Sequence, residues 1–180
     1  MLSSVTEFLE RKLRLRVNRD KSAVAHVLER KFLGHRLPPG GKLGIAPESI
    51  ERARERLGRI TGRSRGVSFE QVIEQTNAFT VGWVTFFRHA ACKRHLIEMD
   101  HWLRRRVRCL RLKQCKRAKT IADFLRRLGV PLWRAWLVAL SGKGWWRLAQ
   151  SPPATEGMST AWLKSMGLAS LTERFAKLNR

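Results

Sequence analysis

The stretch "LRRRVRCLRLKQCKRAKTIA", residues 103–122, contains no acidic residue, and nine Lys or Arg side chains fall between Arg104 and Lys119. Leucines and cysteines interrupt the charge. Leu96, Met99, Leu103, Val107 and Leu110 recur every three or four residues. That spacing predicts one long amphipathic helix over "HLIEMDHWLRRRVRCLRLKQCKRA". On its projection Arg104, Arg105, Arg108, Arg111 and Lys119 share one broad face, opposite Leu103, Val107 and Leu110. A chain built around such an element must fold a helical core beneath a strongly basic surface.

The rest of the composition points the same way. The 180 residues include 37 Lys+Arg against 14 Asp+Glu, a formal charge of +23. A compact domain that basic repels itself, so the charge implies an anionic partner. Nucleic acid leads, and an anionic membrane surface comes second. Hydrophobic residues make up 43% of the chain, with seven Trp and eight Phe, enough for a packed core rather than a solvated tail. No apolar run reaches the roughly 18 residues of a membrane span. The N-terminus lacks the apolar stretch of a signal peptide, and three irregularly spaced cysteines fit a reducing, cytoplasmic setting.

Local signals divide the chain. Val5, Phe8, Leu9 and Leu13 predict a helix over about Ser3–Leu13. "LRLRVN" and "RKFLGHRL" alternate in part and predict a short β-unit turning through "NRDKS". "PPGGKLG" breaks the pattern, and almost nothing beyond it reads as strand. Pro47 opens a charged helix, and Ser68 with Gln71 makes a capping box at the start of the next. "IADFLRRLG" predicts a helix ending at Gly129, with Pro131 starting another. "SGKGWW" and "SPPATEG" read as loops, and a last helix covers about Ser159–Met166. Trp83, Trp102, Trp133 and Trp136 follow apolar periodicity and are expected in the core. Trp145 and Trp146 suit either stacking on unpaired bases or buried anchoring.

Residues for protein-borne catalysis are sparse. Metal-dependent phosphoryl transfer needs clustered carboxylates. The three aspartates, Asp20, Asp100 and Asp123, are far apart in sequence, and most of the eleven Glu sit among Arg at helical spacing, where ion pairing is the plainer use. His89, Cys92 and His95 are close on a helix, but no second cluster completes a four-ligand set, so packing is their default. "GGKLG" and "SGKG" lack phosphate-loop spacing. No catalytic residue and no metal site is expected.

The ordered blocks resemble the C-terminal part of a group II intron reverse transcriptase/maturase. "LRLRVNRDKS" and "KFLGHRL" resemble the last two blocks of its palm. "ITGRSRGVSFEQVIEQTNAFTVGWVTFFRHA" is similar to the start of its maturase region, with the Arg-Gly, the Asn and the Gly-Trp. "LIEMDHWLRRRVRCLRLKQCKRAKT" resembles its Asp-x-Trp-hydrophobic-Arg-Arg block and the following Lys-Gln-x-Lys. "LGV" and "GWWRLA" complete the order. The resemblance covers nearly the whole chain. Two departures stand out. The Tyr-x-Asp-Asp block that carries polymerase chemistry is absent, and the tryptophans that the family places near Leu112 and Cys115 are missing. The chain also stops at Arg180 without the zinc endonuclease module of some relatives.

The resemblance implies a mainly α fold: a helical thumb/maturase-type bundle preceded by a small α+β palm remnant. It implies a remnant at 1–37, a linker and first thumb helix at 38–67, and a maturase-specific RNA-binding region at 68–180. The expected function is binding intron RNA to assist splicing, with no cofactor in this chain. The intron RNA or a missing palm would hold Mg²⁺. Candidate RNA-binding residues are Lys21, Arg63, Arg65, Arg104, Arg105, Arg108, Arg111, Lys113, Lys116, Arg117, Lys119, Trp145 and Trp146. Group II intron RNA is the expected partner, with a primer-template duplex or a separate N-terminal reverse-transcriptase part as further ones, and no membrane. The competing readings are one part of a split reverse transcriptase, active only beside a palm chain, and a generic basic helical DNA-binding protein.

Overall fold

The computed structural model describes residues 2–20, 22–24, 26, 31–37 and 41–180. These residues are mainly helical, as the periodicity predicts, with one small sheet. The N-terminal helix α1 (Leu2–Arg11) buries none of its residues. "LRLRVN" forms no strand, contrary to its alternation; Leu13 and Leu15 both stay exposed, with no strand of the described residues paired beside them.

The sheet comes instead from "KFLGHR" folding on itself. β1 (Lys31–Phe32) pairs antiparallel with β2 (His35–Arg36), which pairs with β3 (Gly44–Ile45). Leu33 and Gly34 form the two-residue connection with φ of 49° and 77°, the left-handed pair that matches strand twist in a tight hairpin. Gly34 has a second constraint. A Cβ there would lie 2.7 Å from Ser49 Oγ, while its carbonyl accepts from Ala46 N (2.8 Å) and Ser49 Oγ (3.2 Å). The hairpin is thereby pinned to the start of α2 (Pro47–Ile60). His35 anchors its other side on Phe86 and Phe87, at ring separations of 5.5 and 4.8 Å.

Helix α3 (Phe69–Phe86) opens with the expected capping box, Ser68 and Gln71 each satisfying the other's backbone N–H. Helix α4 (Lys93–Gln114) is the long basic helix. It ends earlier than its periodicity suggests, because Lys116 takes a left-handed φ of 60° and its N–H turns back to the Lys113 carbonyl (3.1 Å). No glycine or asparagine marks that stop. The chain restarts as α5 (Ala118–Arg127), so Lys119 lies on a different helix from Arg104–Arg111.

Beyond α6 (Leu132–Ala139) the expected loops are short helices. Gly144 precedes α7 (Trp145–Leu148), and Pro152, preorganised for a first helical turn, begins α8 (Pro152–Gly157). Helix α9 (Thr160–Ser165) matches the predicted last helix, but another follows it, α10 (Leu171–Leu178).

Two cores result, and α4 runs through both. The first packs Leu57, Val72, Leu96, Met99, Leu103, Val107, Leu163 and Leu171 among α2, α3, α4, α9 and α10. The second gathers Leu112, Ile121, Leu125, Ala135, Val138, Ala154 and Met158 around the end of α4 and α5–α8. Each fully buried Leu or Val contributes roughly 1.5–3 kcal/mol of transfer free energy. Trp162 packs against both cores. At Gly157, α8 approaches the end of α5 and the turn after it so closely that a Cβ would meet Val130 Cγ2 at 3.0 Å and Leu125 Cδ2 at 3.4 Å.

Trp83, Trp102 and Trp136 pack against these cores, half-buried. Trp133 does not. It is 67% exposed, because Ala135 and Val138 set the buried side of α6 and Trp133 projects away from it with Leu137 and Leu140.

Candidate nucleic-acid interface

The arginines of α4 divide into those that the fold consumes and those that it leaves available. Arg106 caps the end of α2: its Nε donates to Thr61 Oγ1 (2.6 Å) and one terminal nitrogen to the Gly58 carbonyl (2.7 Å). A cation there also opposes the negative end of the helix dipole. Arg108 Nε donates to the Met158 carbonyl (2.7 Å), fastening the loop after α8. Burial lowers the pKa of both guanidiniums, with Arg104 adding repulsion at Arg108. Arg111 lies over Phe124 (4.9 Å) and Phe69 (5.5 Å), one aromatic from each side of the two-core junction. Arg105 sits over the Trp146 ring at 4.0 Å and donates to its carbonyl (3.0 Å). The broad arginine face is therefore largely covered, not solvated.

Long side chains explain how. An arginine stem packs along apolar surface while its planar fork reaches backbone carbonyls that would otherwise lack donors. Helical periodicity places Arg105, Arg108 and Arg111 on one side of α4 but does not say that α7, the end of α8 and rings from α3 and α5 come to lie against that side, nor that α2 covers Arg106 on another.

The available cations gather at the end of α4. The loop 61–67, between α2 and α3, runs alongside it. Lys113 Nζ donates to Ser64 Oγ (3.3 Å), Gln114 to the Val67 carbonyl (3.3 Å), and an Arg63 terminal nitrogen lies 3.8 Å from Cys109 Sγ. This brings Arg63, at position 63 in the sequence, beside a residue 46 positions later. Arg65 is exposed and holds the Ile60 carbonyl and Gln75. Lys116, Arg117 and Lys119 continue the patch, all exposed and without an ion-pair partner among the described residues. Left-handed Lys116 turns the chain outward at this point.

The other candidates fall elsewhere. Arg104 lines a separate cleft with α9 and α10. Trp145 packs against the second core, while Trp146 is 38% exposed and borders a pocket with Arg63, Arg106 and Trp102. Both tryptophans lie in the first turn of α7 rather than in a loop. Lys21 lies outside the described residues.

Asp100 and Asn77 are structural in a way that sequence alone did not show. Asp100 is 5% exposed, and its carboxylate accepts from the backbone N–H groups of Leu171 (3.0 Å) and Thr172 (3.1 Å) and from the hydroxyls of Ser170 (2.8 Å) and Thr172 (2.7 Å). It thus caps α10 from a helix 70 residues away. Asn77 donates to the Gly167 carbonyl (2.7 Å) and accepts from Ala169 N (2.9 Å). The only sequence signal was that both stand in the blocks that carry the resemblance.

His89, Cys92 and His95 part company: Cys92 is buried, His89 meets Arg88 at the surface, and His95 faces Glu98. Among the described residues no group of three or more His, Cys, Asp or Glu is placed to hold a metal ion. No helix of the described residues is long and apolar enough to cross a membrane.

No curated protein matches the chain. Residues 50–129, from the first turn of α2 to the glycine after α5, match the family model of the group II intron maturase-specific domain, so the chain carries a maturase-type segment.

Proposed function

We propose that the chain binds group II intron RNA and holds it in a splicing-competent shape. Its part is binding and positioning; the RNA, with its own Mg²⁺, carries out the transesterifications. The observation that supports this best is the cation-rich patch of Arg63, Arg65, Lys113, Lys116, Arg117 and Lys119, built from two segments within the maturase-type stretch. Rigid helices beneath such a patch suit recognition of a folded RNA by shape and phosphate contacts. In this reading residues 1–37 derive from a reverse-transcriptase palm, and the chain does not polymerise DNA by itself.

Binding of the purified chain to group II intron RNA, competed by duplex DNA, tests the proposal. Intron RNA should win the competition; equal competition would make the protein a general basic nucleic-acid binder. Each phosphate contact contributes about −0.7 to −0.9 to the slope of log K against log salt. Lys116→Gln, Arg117→Gln and Lys119→Gln together should flatten that slope by about two units, with circular dichroism unchanged. An unaltered slope would remove the patch from the RNA interface.

One observation favours a second reading, a split reverse transcriptase. Leu2, Val5 and Phe8 of α1 and Phe32 and Leu33 of the hairpin are exposed, apolar side chains that a palm chain could cover. Primer extension by the chain mixed with a separately encoded palm, and by neither alone, would support it.

A further inference from the structure

A cleft of about 350 Å³ opens between α4, α9 and α10, away from the basic patch. Its apolar floor includes Val81, Leu103, Leu163 and Leu168. Four cations and two carboxylates line it, and both carboxylates are already engaged. Asp100 accepts the four hydrogen bonds that cap α10, and Glu173 is paired with Lys164 at 3.1 Å. The side chains of Arg104, Arg174 and Lys177 are left with no hydrogen-bond or ion-pair partner among the described residues. Arg174 Nε is moreover buried and unpaired. A buried donor without an acceptor costs free energy, and an anion bound at the cleft-lining part of the same guanidinium would offset some of that cost.

We infer that this cleft is a nucleotide pocket, with Arg104, Arg174 and Lys177 holding the phosphate and the apolar floor taking the base or sugar. The volume lies within the range of small-molecule sites, and the mixture of apolar floor and cationic rim fits a nucleotide better than a bare inorganic ion. Arg174 and Lys177 come from α10, beyond the residues that match the maturase-specific domain. The nucleotide could be an unpaired residue of a single strand or a free mononucleotide. The strand source rests on the RNA-binding reading above; the pocket does not.

Calorimetric titration of the full chain with adenosine monophosphate, adenosine and inorganic phosphate tests the inference. The monophosphate should bind most tightly, and Lys177→Gln and Arg104→Gln should each weaken it about tenfold, the scale of one charge-assisted contact. Lys177 is exposed on α10, so its substitution leaves folding intact, and thermal melts check the Arg104 variant. No binding of the monophosphate, equally tight binding of adenosine, or wild-type affinity in both variants would overturn the pocket. Displacement of a single-stranded oligoadenylate by the monophosphate assigns the site to strand nucleotides; failure to displace it assigns the site to free nucleotide, and either upholds the pocket. Intron RNA binding, measured alongside, separates the two proposals, since RNA binding without monophosphate binding overturns the pocket alone.

Discussion

Asp100 shows how one buried carboxylate can cap a helix that starts far away in sequence. Helix α10 is only eight residues long, and its first backbone N–H groups find their acceptor on α4. Asp100→Ala strips those donors, at a cost on the order of 2 kcal/mol. Thermal melts should shift accordingly, and amide exchange should accelerate in α10 more than in α3; uniform exchange would remove the capping role. The cysteines give a second prediction at this scale. Burial pushes all three thiols up, Cys92 to about 11. At Cys109 the nearby Arg63 partly offsets that rise. The native protein should therefore resist iodoacetamide near pH 8 and react at all three positions once unfolded. A thiol whose pKa is raised on folding contributes stability that is full below its unfolded value, about 8.5. That contribution falls as the pH rises from there toward the folded value, so urea midpoints should decline through this alkaline range.

At the scale of elements, α4 is a scaffold whose arginines bind neighbouring helices. Arg106 holds α2, Arg105 holds α7, Arg108 holds the end of α8, and Arg111 lies between aromatic rings of α3 and α5. Phe69 itself begins α3 and Phe124 lies in α5. Arg108→Gln should leave the Met158 carbonyl poorly paired and cost about 1–3 kcal/mol. Arg104, Arg105, Arg108 and Arg111 all replaced by Gln should lower Tm markedly, rather than weaken RNA binding on an unchanged fold. A melt identical to wild type would show that these contacts carry no weight. The same helix thus gives structural cations along its middle and leaves cations without an ion-pair partner among the described residues near its end and in the α9–α10 cleft.

For the whole molecule, stability resides in the part from β3 onward. Two cores meet along α4, with Trp162 packed against both, so residues 45–178 should unfold together. Helix α1 buries nothing. Removing residues 1–15 should therefore leave Tm unchanged and raise solubility, since Leu2, Val5, Phe8 and Leu13 are exposed. A large fall in Tm would mean that α1 packs in solution.

The sequence by itself determined the features that are written locally. The capping box at Ser68, the helix stop at Gly129 and the apolar period of α4 are each encoded within a few turns of chain, and the acid-free run at 103–122 fixes the strong positive charge of that segment without reference to any fold. The turn chemistry of Phe-Leu-Gly was legible only in part: the residues marked a β-unit, but φ values at Leu33 and Gly34 closed it into a hairpin that excluded "LRLRVN". The stop at Lys116 left no such mark, whereas α10 did: Ser170 followed three residues later by Glu173 is a helix-start signal, and the Ser170 hydroxyl accepts from Glu173 N. Tertiary structure alone decided which cations remain available. Periodicity assigns Arg108, Arg111 and Lys119 to one face, yet α8 covers Arg108, rings from α3 and α5 bracket Arg111, and the break at Lys116 carries Lys119 onto another helix. It likewise turned Trp133 outward and Trp136 inward. The physical reason is common to all of these. A helical pattern tells which side chains point the same way, whereas burial of that side depends on segments tens of residues distant, and arginine is long and rich enough in donors to be satisfied in either environment.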